Sequence, residues 1–154
     1  MSIKLLLADD SGVIRAGIAR LLKDEPLIEL VGVATSFAET LLLTTALNPD
    51  VLLLDLHMHD EREYPPEVVK PCVLLNAKCV VAISIWNDAD ATALAESLGA
   101  AVLLDKTKLY AELIPTIKQH CPKVATPITV TSFGQIVEPA YISINTRSAG
   151  SRLN

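Results

Sequence analysis

Pro49-Asp50-Val51-Leu52-Leu53-Leu54-Asp55-Leu56-His57-Met58 is the stretch on which the fold turns. Val51 to Leu54 is aliphatic at every position, so an extended segment here is apolar on both faces. A strand of that kind belongs inside a sheet covered on both sides, the usual setting of parallel sheets. Asn48-Pro49 stops the preceding helical pattern, expected from about Phe37 to Leu47. Asp55 ends the strand with a carboxylate, and the polar run from His57 to Pro66 reads as a loop.

The same rhythm extends outward in both directions. Toward the N-terminus, Ile3 to Ala8 reads as a buried strand, followed by Ser11 as an N-cap and by Ile14, Ile18, Leu21 and Leu22 on one helical face. Leu30 to Ala34 makes a second strand. Toward the C-terminus, a helix is expected from about Glu67 to Leu75, with Pro71 against it. Val80 to Ile83 forms a fourth strand ending on Ser84. Asp88 is placed to cap a helix carrying Leu94, Ala95 and Leu98 that terminates at Gly99. Val102 to Leu104 is the fifth strand, and Leu109, Leu113, Ile114 and Ile117 mark a last helix. Five aliphatic strands separated by helices imply an α/β fold with one doubly wound parallel sheet.

The chain has 154 residues, enough for one ordinary domain. About four-fifths of it carries the alternation, giving a domain over 1–121 and a tail over 122–154. That tail is rich in Thr, Ser, Ile and Val, with β-like stretches at Ile128–Phe133 and Tyr141–Ile144 that suit accessory strands or a loose extension. The net charge of −5 provides no basic field for DNA or anionic membrane. No apolar run approaches a membrane span, and the N-terminal one is cut short by Asp9-Asp10. Cys72, Cys79 and Cys121 contain no C-x-x-C pair, and buried thiols in a reducing cytoplasm are the simplest expectation.

Chemistry gathers at the strand ends. Asp9 and Asp10 follow the first strand, Asp55 ends the third, Ser84 ends the fourth, and Lys106 lies just past the fifth. In an open parallel sheet those ends share one edge, where ligands bind. Three carboxylates against one ammonium leave a deficit of two charges, which one divalent cation cancels. Mg²⁺ suits such an oxygen-rich site. Asp55 would then be a nucleophile toward a phosphoryl group, with Mg²⁺ and Lys106 neutralising its oxygens and Ser84 hydrogen-bonding one of them. Taken singly, each residue has an ordinary role as a helix-start acid, a loop residue or a solvated charge. Their joint placement is what points to a site.

Residues 1 to about 121 resemble a bacterial two-component response-regulator receiver domain. The resemblance is carried by Leu5-Leu6-Leu7-Ala8-Asp9-Asp10-Ser11, Pro49 to Met58, Val80-Val81-Ala82-Ile83-Ser84-Ile85, and Gly99 to Thr107. Asp105-Lys106-Thr107 and Ile28 to Thr35 are similar to the NarL-like subfamily. The resemblance implies a flavodoxin-like strand order 2-1-3-4-5 and metal binding by Asp10 and Asp55. It further implies that Asp9 acts largely through water and that His57 contributes a backbone carbonyl. It makes Asp55 a phosphoacceptor for a sensor histidine kinase or phosphotransfer protein, with output through a downstream protein or a homodimer and no enzymatic activity beyond its own phosphoryl transfer and dephosphorylation. Direct DNA contact is not expected, because no helix-turn-helix follows and the tail offers only Lys123, Arg147 and Arg152 against Glu138.

The departures lie beside the site. His59 stands where the family usually has Pro, Asp60 to Tyr64 contains no Gly, and Leu103 replaces a frequent aromatic switch residue. Two other readings compete. A degenerate receiver would act as a phosphorylation-independent binding module. A metallohydrolase would use His57 and His59 as an H-x-H pair, but Glu61 and Arg62 occupy the positions where Asp and His would follow, and His120 is the only other histidine. Trp86, the single tryptophan, alternates with Ile85 so as to share the side of Ser84 and flank the pocket.

Overall fold

The computed structural model describes residues 2–121 and two short strands further on, Thr129–Val130 and Ile136–Val137. The elements follow in the order β1 (Ile3–Ala8), α1 (Gly12–Lys23), β2 (Ile28–Ala34), α2 (Phe37–Leu47), β3 (Val51–Asp55), α3 (Pro66–Asn76), β4 (Cys79–Ser84), α4 (Ala89–Ser97), β5 (Val102–Asp105), a 3-10 turn (Lys106–Lys108) and α5 (Leu109–His120). The sheet runs β2-β1-β3-β4-β5 and every pairing in it is parallel. This is the doubly wound order expected from the sequence. The strand order turns back on itself between β1 and β3, with the connections winding outward in opposite directions from there, so a crevice opens at their carboxyl ends.

Period-2 alternation explains how one aliphatic run serves two cores. Leu52 and Leu54 of β3 join Leu6, Ala8, Val80 and Ala82 against Phe37, Val69, Val73, Ala95 and Leu98. Val51 and Leu53 face the other way, with Leu5, Leu7, Val81 and Ile83 against Ile18, Leu22, Leu109, Leu113 and Ile117. All four aliphatic side chains of β3 are fully buried, each contributing about 1.5–3 kcal/mol of transfer free energy. The site's central carboxylate is thus mounted on the least yielding part of the sheet.

The helix signals read at Ser11, Asn48, Asp88 and Gly99 act as expected, and Ser36 adds a cap that was not read. Ser11, Ser36 and Asp88 cap α1, α2 and α4 through their side chains. Asn48 closes α2 in the left-handed region at φ 45°, and Gly99 follows α4 at φ 92°. Two details, the start of β2 and the pairing in the tail, differ from the sequence reading. β2 begins at Ile28, two residues early, because its backbone already pairs with β1 at Ile3. The expected helix α3 forms across Pro71, and the expected α5 forms across Pro115. Both prolines lie on the exposed face, where water can take the carbonyl left without its amide donor. In the tail, Thr129–Val130 falls within the first expected β stretch and pairs antiparallel with Ile136–Val137, which was not foreseen; Tyr141–Ile144 lies outside the described residues.

The cysteines do not remain three separate thiols. Cys79, which opens β4, and Cys121, which follows α5, are joined as a disulfide across 42 residues, leaving Cys72 free. The first residue of one strand and the end of the last helix come together at the amino edge of the sheet, a proximity that sequence spacing does not reveal. Thiol titration of the denatured, non-reduced protein should therefore count one reactive thiol. Reduction should lower unfolding stability by between about 3 and about 4.7 kcal/mol on loop-closure grounds. Three titratable thiols before any reductant is added would show that the bond does not form.

Candidate metal centre

β1, β3 and the turn after β5 deliver four charges to the carboxyl edge. Asp9 leaves the end of β1 fully buried, with Oδ1 accepting the backbone N–H of Ser11 at 2.8 Å. Asp55 ends β3, also buried, and its Oδ1 accepts the N–H of His57 at 3.2 Å. The Lys106 ammonium lies between them, 2.9 Å from Asp9 Oδ2 and 3.2 Å from Asp55 Oδ2. Asp10 is the exposed member. Its Oδ2 accepts the N–H of His59 at 3.0 Å. One carboxylate oxygen from each of Asp9, Asp10 and Asp55 lies within 4.8 Å of the others.

The donor set fits a hard divalent cation: three carboxylates, no thiol, and access through the exposed Asp10. Asp9 Oδ2 adds an independent sign. It is buried with no well-aligned hydrogen bond, because Lys106 meets it as a close charge contact rather than along a donor direction. A bound cation, through its water, would offer that carboxylate a further partner.

The metal-free electrostatics carry the cost of this crowding. Burial, and then the neighbouring Asp9 charge, push the Asp55 carboxyl up from 3.8 to about 6, against the opposing pull of Lys106 and the His57 amide. Burial would push the Lys106 ammonium down. Its contact with Asp9, together with the charges of Asp55 and Asp9, outweighs that and holds it above the usual lysine range.

Ser84 is buried at the end of β4, and its Oγ accepts the N–H of Trp86 at 3.0 Å, leaving the hydroxyl hydrogen available. That local turn takes Ile85 and Trp86 beyond the strand, and both side chains are exposed. The Trp86 ring meets the His57 ring edge-on at a centroid distance of 5.2 Å and an interplanar angle of 88°. His57 Nδ1 in turn lies 2.9 Å from Glu61 Oε1. Trp86, His57 and Glu61 thus form a row at the rim, with the His57 backbone hydrogen-bonded to Asp55.

Several of these contacts were not read from the sequence. Asp60 reaches across to α2, where its two oxygens accept the N–H groups of Phe37 and Ala38 at 2.9 and 3.0 Å. Arg15 Nη1 donates to the Asp9 carbonyl at 3.0 Å. The i,i+4 spacing of His57 and Glu61 was the one available hint, and it acts here within a loop. Among the described residues, the cluster of potential metal ligands contains no histidine, so His57 and His59 do not meet as an H-x-H pair around a common centre.

No established family profile matches the chain. It is 34% identical over 118 residues to the transcriptional regulatory protein LiaR of Bacillus subtilis, an alignment covering 75% of this chain and 54% of that protein. It is also 34% identical over 137 residues to a protein-glutamate methylesterase/protein-glutamine glutaminase of Hydrogenovibrio crunogenus, covering 85% of this chain and 35% of the relative. The chain thus spans about a third to a half of these relatives. Among solved structures, the signal receiver domain of the NarL response regulator of Mycobacterium tuberculosis superposes with a TM-score of 0.68 at 25% identity, over 79% of this chain and 97% of that one. The response-regulator domain of Thermotoga maritima CheB gives 0.67 at 23%, over 79% and 98%. The chain has the fold of a bacterial receiver domain, and the likeness spreads over several response-regulator subfamilies rather than NarL alone.

The raised Asp55 carboxyl sets the pH dependence of the metal-free protein. Between about 4 and about 6 the native state holds a proton there that the unfolded chain has already lost. Stability from this group is therefore full below the ordinary carboxyl range and lost as pH rises through about 6, a change on the order of 2–3 kcal/mol. Denaturant titrations in chelator should show that fall in the wild type and not in Asp55→Asn. Parallel curves for the two proteins would remove Asp55 as its source.

Proposed function

We propose that this chain is a phosphoacceptor module of a two-component phosphorelay, receiving a phosphoryl group on Asp55 with the help of Mg²⁺. The observation that carries the reading is the meeting of Asp9, Asp10, Asp55 and Lys106 at the sheet's carboxyl edge, with Asp55 rooted in the buried central strand. Asp10 and Asp55 would hold the ion directly, with Asp9 largely through water and His57 through its carbonyl. When bound, Mg²⁺ supplies the charge that offsets the carboxylates and the incoming phosphoryl oxygens.

The chain's own groups divide the remaining work. An Asp55 carboxylate oxygen forms a bond to phosphorus as the bond from phosphorus to the donor's leaving atom breaks, and the leaving group departs with its electron pair. Lys106, already in contact with Asp55, neutralises the oxygens that gather there. The Ser84 hydroxyl accepts the Trp86 amide and keeps its own hydrogen to donate to a phosphoryl oxygen. The donor would be a sensor histidine kinase or a phosphotransfer protein. Output would run through a downstream protein or a second copy of this chain. Residues 1–121 would carry this activity and 122–154 would be an accessory segment. With Leu103 in place of an aromatic switch, the response would travel by backbone movement near Ser84 and Lys106.

Incubation with acetyl phosphate and Mg²⁺ should add one phosphoryl mass to the wild type and none to Asp55→Asn. An equal gain in the mutant would falsify the assignment. Saturating Mg²⁺, at a hundred times its dissociation constant, should stabilise the protein by about 2.7 kcal/mol, and Asp10→Asn should abolish that response.

The rim row of Trp86 and His57 gives a second measurable consequence. With its ring edge-on to His57, whose backbone is bonded to Asp55, Trp86 would narrow the path of a hydrolytic water. Trp86→Ala should shorten the phosphoryl half-life, and Trp86 emission should respond to Mg²⁺ and to beryllofluoride. An unaltered half-life together with unaltered emission would place Trp86 outside the site.

A further inference from the structure

Among the described residues, the His59 side chain offers a ring nitrogen beside Asp10, a candidate ligand, and makes no side-chain hydrogen bond of its own. Its backbone N–H is tied to Asp10 Oδ2 at 3.0 Å, and its ring Nδ1 lies 3.8 Å from that same oxygen. The ring is 68% exposed. His57 differs, because its Nδ1 is already engaged by Glu61 and its ring by Trp86. The amide tether keeps His59 beside Asp10 while leaving its imidazole free to turn.

The spacing is close to that of two donors on one ion. Ligand bonds of about 2.1 Å put neighbouring donors about 3.0 Å apart in an octahedron and about 3.4 Å apart in a tetrahedron, with opposite donors about 4.2 Å apart. At 3.8 Å, His59 Nδ1 and Asp10 Oδ2 stand wider apart than neighbouring donors on one ion, by a margin that a turn of the exposed ring can close. The imidazole stands on Asp10's exposed side rather than among all three carboxylates, so a small ring movement would bring it to a coordination position that Mg²⁺ leaves to water. Asp9, whose buried Oδ2 has no aligned donor, belongs to the same cluster of carboxylates as Asp10.

We infer that the His59 imidazole is an additional ligand that turns this centre toward first-row transition-metal divalent ions, while Mg²⁺ binds through oxygens alone. The inference rests on the metal centre proposed above and concerns which ion that centre prefers. Imidazole adds little for Mg²⁺, which favours oxygen and holds its waters, but it is a good donor for Mn²⁺, Co²⁺, Ni²⁺ and Zn²⁺. A proline at this position would supply neither the ring nor the amide that anchors it. Signalling that depends on occupancy of this centre would then respond to the kind of divalent ion present as well as to the phosphoryl donor.

The test uses chelator-stripped full-length protein titrated with Mg²⁺ and, separately, Co²⁺, in the wild type, His59→Ala, His59→Asn and His57→Ala. Binding is followed by calorimetry and by the visible absorption of Co²⁺, and nitrogen coupling by pulsed electron paramagnetic resonance of bound Mn²⁺. Expected is a loss of about tenfold in Co²⁺ affinity in both His59 variants, with Mg²⁺ affinity changed less than about twofold. The nitrogen coupling should disappear in the His59 variants and persist in His57→Ala. Unchanged Co²⁺ affinity in the His59 variants, or coupling that vanishes only in His57→Ala, overturns the inference while leaving the Mg²⁺ centre intact. Absence of binding by either ion in the wild type removes the centre itself and the inference with it.

Discussion

Two buried carboxylates share one ammonium at the carboxyl edge of the sheet, and the rest of the architecture makes that tolerable. Asp9 and Asp55 cannot move apart, because each ends a strand whose aliphatic side chains are locked in both cores. Lys106 arrives from a third strand and balances one charge of the two. The surplus appears as the raised Asp55 carboxyl, which is the energetic form of a site waiting for positive charge. Closed-shell packing below and unresolved charge above are two aspects of one arrangement, since a softer sheet would let the acids separate and relax.

The parts of this arrangement that depend on backbone periodicity were legible in the sequence. Unbroken aliphatic runs announced parallel strands, Ser11 and Asp88 announced helix starts, and residues at strand ends announced a shared edge. Asp9, Asp10, Asp55 and Lys106 come together as that logic requires, while Ser84 sits at its predicted strand end. What escaped depends on side chains that meet across large sequence separations. Asp60 caps a helix that begins 23 residues before it, a pairing with no local signature. The Cys79–Cys121 bond is similar, because the spacing of two lone cysteines carries no information about which strand end lies under which helix end. Pro71 counted against its helix without stopping it. Proline breaks a helix by a local rule, but its cost depends on whether water reaches the orphaned carbonyl, which is a property of the packed molecule.

The loop after β3 lacks glycine and has histidine where a proline was expected, yet it is well anchored. Asp60 secures it to α2, the His59 amide secures it to Asp10, and the His57 amide secures it to Asp55. Side-chain acceptors thus supply the order that restricted backbone residues would otherwise provide. Two of the three anchors are the candidate metal ligands themselves. The loop's shape and the state of the carboxylates are therefore linked, so a change of ion or charge at the site is felt first by the segment that borders it.

The bond between Cys79 and Cys121 lies at the opposite end of the sheet from the carboxylates. It fastens the root of β4 to the foot of α5, leaving the tips of β4 and β5 without any covalent tie. Mechanically this resembles a pair of tweezers, riveted at the base and open at the points. The rivet opposes sliding of β4 along α5. Relative motion of β4 and α5 is therefore least restrained at the carboxyl edge, where Ser84 ends its strand.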